Sequence, residues 1–166
     1  YVAAAKRALR GKIGIDSEAG PTEIAIVADD SARASEVAAD LMSQAEHDTI
    51  AAAVLITNSL KLAKEVQIEI NKRIKRTKHS ERIAEALRGI QSAIVITDDL
   101  EQSIDIANAY AAEHLELQVA NPQQASLQIR NAGAVFLGRF TPVSLGDYLA
   151  GSNHVLPTGG CACHSS

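Results

Sequence analysis

Tryptophan is absent from the 166 residues, and the aromatic complement is three Tyr and two Phe. A chain so poor in aromatic rings has little with which to stack on unpaired bases. Clustered cations are scarce too: the net charge is -4, and the one basic stretch, residues 72–78 (KRIKRTK), reads as a solvated helix end rather than a phosphate-binding patch. Nucleic acid is therefore excluded as an expected partner. No apolar run approaches the roughly 20 residues of a membrane span, and the N-terminus lacks the charged-then-apolar order of a secretory leader. Neither a membrane nor export is indicated, and a cytoplasmic setting is expected. Cysteine is limited to Cys161 and Cys163, too close for an ordinary structural disulfide, as suits a reducing compartment. With His164 they form a CxCH cluster, but structural zinc sites draw their remaining ligands from a second pair, and there is no other cysteine. Also missing is a GxGxxG loop at any strand-to-helix junction, which excludes the usual mode of dinucleotide binding.

What the chain does have is Ala, Ile, Leu and Val, which dominate an apolar fraction of 46%. Apolar runs of strand length alternate with helical patterns. Residues 23–28 (EIAIVA), 51–57 (AAAVLIT), 93–97 (AIVIT) and 133–137 (GAVFL) read as strands, the second of them buried. Residues 114–119 alternate, with Leu115, Leu117 and Val119 on one face and His114, Glu116 and Gln118 on the other, as in a half-exposed strand. Between them lie helices over about 32–46, where Val37, Ala38, Leu41, Met42 and Ala45 share a face, 60–74, 80–88, 100–111 and 122–130. Asp29, Asp30 or Ser31, then Asn58 or Ser59, then Asp98 or Asp99 are the expected N-caps, and Pro122 opens the last helix. The expectation is an α/β fold: a doubly wound, mostly parallel five-stranded sheet with flanking helices, an incomplete Rossmann-like domain over 23–138. Residues 1–22 read as an incoming helix and loop, and 139–166, rich in Gly, Pro, Ser and Thr, as a loop region. Neither end carries a cap, so both read as cuts through a longer chain.

Four places carry residues suited to chemistry. Gly20, Pro21 and Thr22 form a turn into the first strand. Gln44 and His47, three apart at a helix end, can address one centre through a carbonyl oxygen and an imidazole nitrogen, although a helix C-terminus also favours His through its dipole. Glu113 and His114, adjacent where a helix gives way to a strand, suit an acid and base pair or simply a polar turn. The stretch 146–160 (GDYLAGSNHVLPTGG) sets Asp147 and His154 among small residues, the composition of a loop shaped around a ligand or of a long surface loop.

The stretches IDSEAGPTE, SQAEHD, AEHLE and GDYLAGSNHVLPTGG, in this order, resemble histidinol dehydrogenases across nearly the whole chain. The resemblance implies zinc ligands at Gln44, His47 and Asp147, catalytic Glu113 and His114, and substrate-binding Thr22, Gln44, His47, His114, Asp147 and His154. An oxygen, a nitrogen and a carboxylate suit a zinc ion that keeps positions for substrate. It further implies NAD-linked oxidation of L-histidinol by way of the aldehyde to L-histidine, and a homodimer. Residues gripping NAD are expected mostly upstream of Tyr1, and a further Glu and a His ligand downstream of Ser166. The 166 residues alone are then expected to be inactive. No role is implied for Cys161, Cys163 or His164. The competing reading is a non-catalytic α/β binding or assembly module that keeps a dehydrogenase's shape.

Overall fold

The five apolar runs form five parallel strands in one sheet: β1 (Glu23–Ala28), β2 (Ala52–Thr57), β3 (Ala93–Ile96), β4 (His114–Gln118) and β5 (Ala134–Leu137), in the order β3-β2-β1-β4-β5. The computed structural model describes residues 1–14, 20–151 and 155–163. Between the strands run α2 (Ala34–Ala45), α3 (Leu60–Ile74), α4 (Ser80–Arg88), α5 (Leu100–Tyr110) and the short α6 (Pro122–Ser126), with α1 (Val2–Leu9) ahead of β1 and α7 (Val143–Tyr148) after β5. β1 pairs with β2 on one side and β4 on the other, so the sheet reverses its direction of growth at β1.

Side chains alternate across a strand, and both faces of the central strands β1, β2 and β4 are covered, while the edge strand β3 is largely exposed. Ile24, Ile26, Ala53 and Leu55 pack with Val37, Ala38 and Leu41 of α2, Leu62 and Val66 of α3, and Val143 of α7. Ala25, Val27, Val54, Ile56, Leu115 and Leu117 pack on the opposite face with Ile104 and Ala107 of α5 and Ala125 of α6. Met42, Ala45, Ile83 and Ala86 join α2 to α4.

Local signals hold at some boundaries and yield at others. Ser59 caps α3 by accepting from Leu62 N at 3.1 Å, and Asp99 caps α5 by accepting from Gln102 N at 2.8 Å. Asp29, Asp30 and Ser31 do not cap α2, whose N-cap is Arg33 with no side-chain cap bond. Asp29 is used elsewhere: its Oδ1 accepts from Ser31 N at 2.9 Å and its Oδ2 from Ala120 N, also at 2.9 Å, tying the β1 loop to the β4 loop. The helix opened by Pro122 stops at Ser126 rather than 130, because Asn108 of α5 takes the following backbone, accepting from Arg130 N at 2.6 Å. α7 forms within the stretch expected as loop, because its Gly146 and single apolar turn give no helical period. β4 is not half-exposed: all five of its residues are buried, since it sits inside a parallel sheet with β1 and β5 as neighbours.

Ile26, fully buried between β2, α2 and α3, tests this core. Ile26→Ala is expected to cost about 2–5 kcal/mol in urea denaturation and Ile26→Val about 0.5–1.5 kcal/mol. Ile68, exposed on α3, serves as control; equal losses at Ile26→Ala and Ile68→Ala would contradict the packing described.

Candidate active site

The residues singled out for chemistry gather at the amino ends of β1 and β4. Register sets Ile24 opposite His114, which brings Thr22 and Glu23 beside Glu113. Glu113, 9% exposed, accepts at one oxygen, Oε2, from Thr22 Oγ1 at 2.9 Å and from Glu23 N at 3.0 Å. Gln44, 3% exposed near the end of α2, donates through Nε2 to the same Thr22 hydroxyl. A single hydroxyl thus joins Gln44 to Glu113. With one N–H of its amide bonded to Thr22, Gln44 keeps its carbonyl oxygen as an acceptor or ligand atom, and one further N–H.

His114, buried, makes a 3.0 Å hydrogen bond from Nδ1 to the Glu23 carbonyl, with Glu113 Oε2 3.5 Å away. A carbonyl oxygen only accepts, so Nδ1 carries a proton, and Nε2 is the nitrogen left to exchange one. The ring also lies 6.1 Å from that of Phe136 on β5. Tautomer and orientation are both set before any ligand arrives.

His47 lies just past α2, in a turn closed by its N–H on Gln44 O at 3.2 Å, and is exposed. Gln44 and His47 line one cavity of about 150 Å³ with Val143, Ser144 and Tyr148 of α7. The third expected ligand, Asp147, belongs to α7, so all three positions border one place in the fold; the Asp147 side chain lies outside the described residues. Among the described residues no three His, Cys, Asp or Glu converge as a metal site.

His154 also lies outside the described residues, but the chain that follows it returns to this edge. Gly20 N donates to Thr158 Oγ1 at 3.1 Å, and Gly159 N donates to Glu23 Oε1 at 2.7 Å. Gly133 permits this closure, since a Cβ there would come within 2.5 Å of Glu113 O and 3.1 Å of Pro157 Cδ. Cys161 and Cys163 are exposed, free thiols in a short 3-10 turn, and His164 is outside the described residues.

Sequence reasoning missed a second polar group one step further along β4. Glu116, 2% exposed, accepts at Oε1 from Val143 N at 3.1 Å and at Oε2 from Gln118 Nε2 at 2.9 Å; Gln118 Nε2 also donates to Asp40 Oδ2 of α2 at 3.0 Å. Burial, and then the nearby Asp40 carboxylate, push Glu116 up to about 8 from its ordinary 4.5, and burial raises Asp40 as well. The signal was available: a polar face within a strand of a two-sided parallel sheet has to be buried and satisfied.

The carboxyl edge, where doubly wound sheets usually hold a ligand, is different. Asp29 bridges the loops after β1 and β4 where a dinucleotide fold places glycine and a phosphate. A recess of about 520 Å³ lies there, and one of about 470 Å³ lies between α3, α4 and β3, both larger than the cavity beside Gln44. Volume alone does not mark the site; the convergence of buried polar groups does.

Comparison with known proteins identifies the family. The family model for histidinol dehydrogenase matches residues 1–166. The chain belongs to the histidinol dehydrogenase family. It is 61% identical over 166 residues to a histidinol dehydrogenase of Thermobifida fusca, covering 100% of this chain and 38% of that protein. To one of Corynebacterium jeikeium it is 62% identical over 166 residues, covering 100% and 37%. The crystal structure of histidinol dehydrogenase from Elizabethkingia anophelis matches the fold with a TM-score of 0.93 at 37% identity, covering 100% of this chain and 38% of that one. The chain therefore spans 37–38% of the length of these relatives. Within the family, a doubly wound sheet and its amino edge are what this chain supplies.

Two outcomes follow from this geometry. Thr22→Val removes both the donor to Glu113 and the acceptor of Gln44, and is expected to lose about 1–3 kcal/mol in urea denaturation, with Thr22→Ser losing less. Full stability in Thr22→Val would mean that the hydroxyl link is not formed. For Glu116 the folded state holds a proton that the unfolded chain releases above about 4.5, so stability should decline as pH rises from there towards about 8 and level off beyond. Asp40, itself raised, adds to the fall, with Glu36 raising and Arg73 lowering its titration. Glu116→Gln should flatten most of this slope in melts from pH 5 to 8.5; an unchanged slope would contradict the burial of a protonated Glu116.

Proposed function

We propose that this chain carries the substrate-binding and metal-binding face of a zinc-dependent, NAD-linked dehydrogenase that oxidises L-histidinol through the aldehyde to L-histidine. The observation that carries the proposal is the chain of contacts from Gln44 through Thr22 to Glu113, with His114 beside it, in a protein of this family. Residues 23–138 are assigned as the α/β domain, residues 1–22 as the segment leading into it, and residues 139–166 as an active-site loop region. The homodimer implied by the family belongs to this reading as well.

The donors fit zinc: a glutamine carbonyl oxygen turned out by Thr22, an imidazole, and a carboxylate on the facing helix. Gln44, His47 and Asp147 would hold the ion, which when bound supplies a fixed positive charge that orients the substrate's donor groups. Thr22 and His154 would contact the substrate. His114 is built as a base, since its Nδ1 proton is committed to the Glu23 carbonyl and Nε2 can take the proton that the alcohol loses. Glu113 would take a proton from the water that adds to the aldehyde in the second half. Its two donors, Thr22 and Glu23 N, hold the carboxylate in place for that task. This chain's carboxyl edge lacks the glycine loop of the usual dinucleotide fold, so NAD is assigned mostly to residues outside it, and the 166 residues alone are expected to be inactive.

The test uses the full-length protein, assayed in single turnover with histidinol and with histidinal separately. Glu113→Gln keeps the shape and loses the base, so the aldehyde half is expected to fall about 100- to 10,000-fold while the alcohol half, served by His114, falls far less. Equal loss in both halves, or none with histidinal, would remove Glu113 from this role. A wild-type protein that leaves histidinol unoxidised with NAD and zinc would remove the function itself.

A further inference from the structure

Two helices carry the proposed ligand positions, and both are tied to one buried carboxyl group. α2 bears Asp40 one helical turn before Gln44, and α7 bears Val143 one turn before Asp147. Glu116 reaches both: its Oε1 accepts from Val143 N at 3.1 Å, and its Oε2 shares with Asp40 Oδ2 the two donors of Gln118 Nε2, at 2.9 and 3.0 Å. The group sits on the covered face of β4, beside Phe136 of the neighbouring strand and above Ile26, the register partner of Glu116 on β1. The core around it is built of apolar side chains.

We propose that Glu116 is a positioning residue: it is the strut that sets α7 against α2 and so fixes the spacing of the cavity between Gln44, His47 and α7. The consequence for metal rests on the reading of Gln44, His47 and Asp147 given above; the strut itself does not. α7 needs such an anchor, because six residues make a helix too short to hold its own place. Its first N–H has no carbonyl partner within the helix, and Glu116 supplies one. A polar anchor also defines one seating, whereas Val143 and its apolar neighbours alone could slide without losing burial. An error of about 1 Å at such a site is enough to loosen a ligand set.

Hydrogen exchange and metal uptake in the full-length protein separate the parts of this proposal. Glu116→Met matches the volume and removes the acceptor. Glu116→Gln keeps an acceptor oxygen for Val143. Val143→Pro removes the donor instead, at a first-turn position where proline is tolerated, after Pro142, whose ψ of 156° already suits a following proline. Without metal, the Leu149 and Ala150 amides, both bonded to Leu145 O, report on α7. Glu116→Met and Val143→Pro are expected to speed their exchange at least ~10-fold, with β1 and β2 amides unchanged and Glu116→Gln near wild type. Cobalt(II), read by its visible absorption, should bind about 10- to 100-fold more weakly to the two disrupted variants, with Glu116→Gln restoring affinity. Should Glu116→Met fail to fold, Val143→Pro decides. Unchanged exchange of Leu149 and Ala150 in Val143→Pro, or amides already unprotected in the wild type, overturns the strut. A wild type that takes up no cobalt counts against the metal reading, while the exchange result still decides the strut.

Discussion

The pairing of β1 with β4 is the contact on which the rest of this molecule depends. These strands are far apart in sequence and adjacent in the sheet, and their register puts Glu23 and Thr22 beside Glu113. From that single alignment follow the two hydrogen bonds to Glu113 Oε2, the carbonyl that sets the His114 tautomer, and the hydroxyl that orients Gln44. A slip of one residue would turn the His114 face towards α5 and dissolve all of these at once. The apolar register partners Ala25–Leu115 and Val27–Leu117, packed against α5, resist such a slip.

Covering a parallel sheet on both faces has a second effect. It forces the polar face of β4 into the interior, where His114, Glu116 and Gln118 must find partners or cost stability. Each finds them in a different layer: His114 in the β1 backbone, Glu116 in α7, and Gln118 in α2. Gln118 Oε1 alone among the described buried side-chain atoms lacks one. The polar stripe is thus a set of connections between the sheet and the helices that line the cavity.

The same topology explains why the site lies where doubly wound sheets seldom place one. At the carboxyl edge Asp29 closes the gap between the β1 and β4 loops, and no glycine loop leaves room for a phosphate. At the amino edge, α2 ends and α7 begins their approach to the cavity, and the 155–160 segment is pinned by Thr158 and Gly159. The candidate site groups therefore rest on strand ends and helix ends together, which a loop alone would hold less rigidly.

Much of this was legible in the residues. The alternation of strand-length runs with helical periods was enough for five strands, their parallel class and most boundaries, and burial on two faces left an unbroken aliphatic signature in β1 and β2. The caps Ser59 and Asp99 were readable because a cap acts within three residues of itself. Asp29, α6 and β4 departed from expectation for one reason: Ala120, Asn108 and the flanking strands compete from distant parts of the chain. Motifs located Thr22, Gln44, His47, Glu113 and His114 without saying that one hydroxyl joins two of them. Chain chemistry by itself determined which groups could ionise, donate or bind. Only the tertiary structure decided which of them meet, which edge of the sheet they share, and that Glu116 lies buried between two helices, because those depend on contacts between residues some 22 to 91 positions apart.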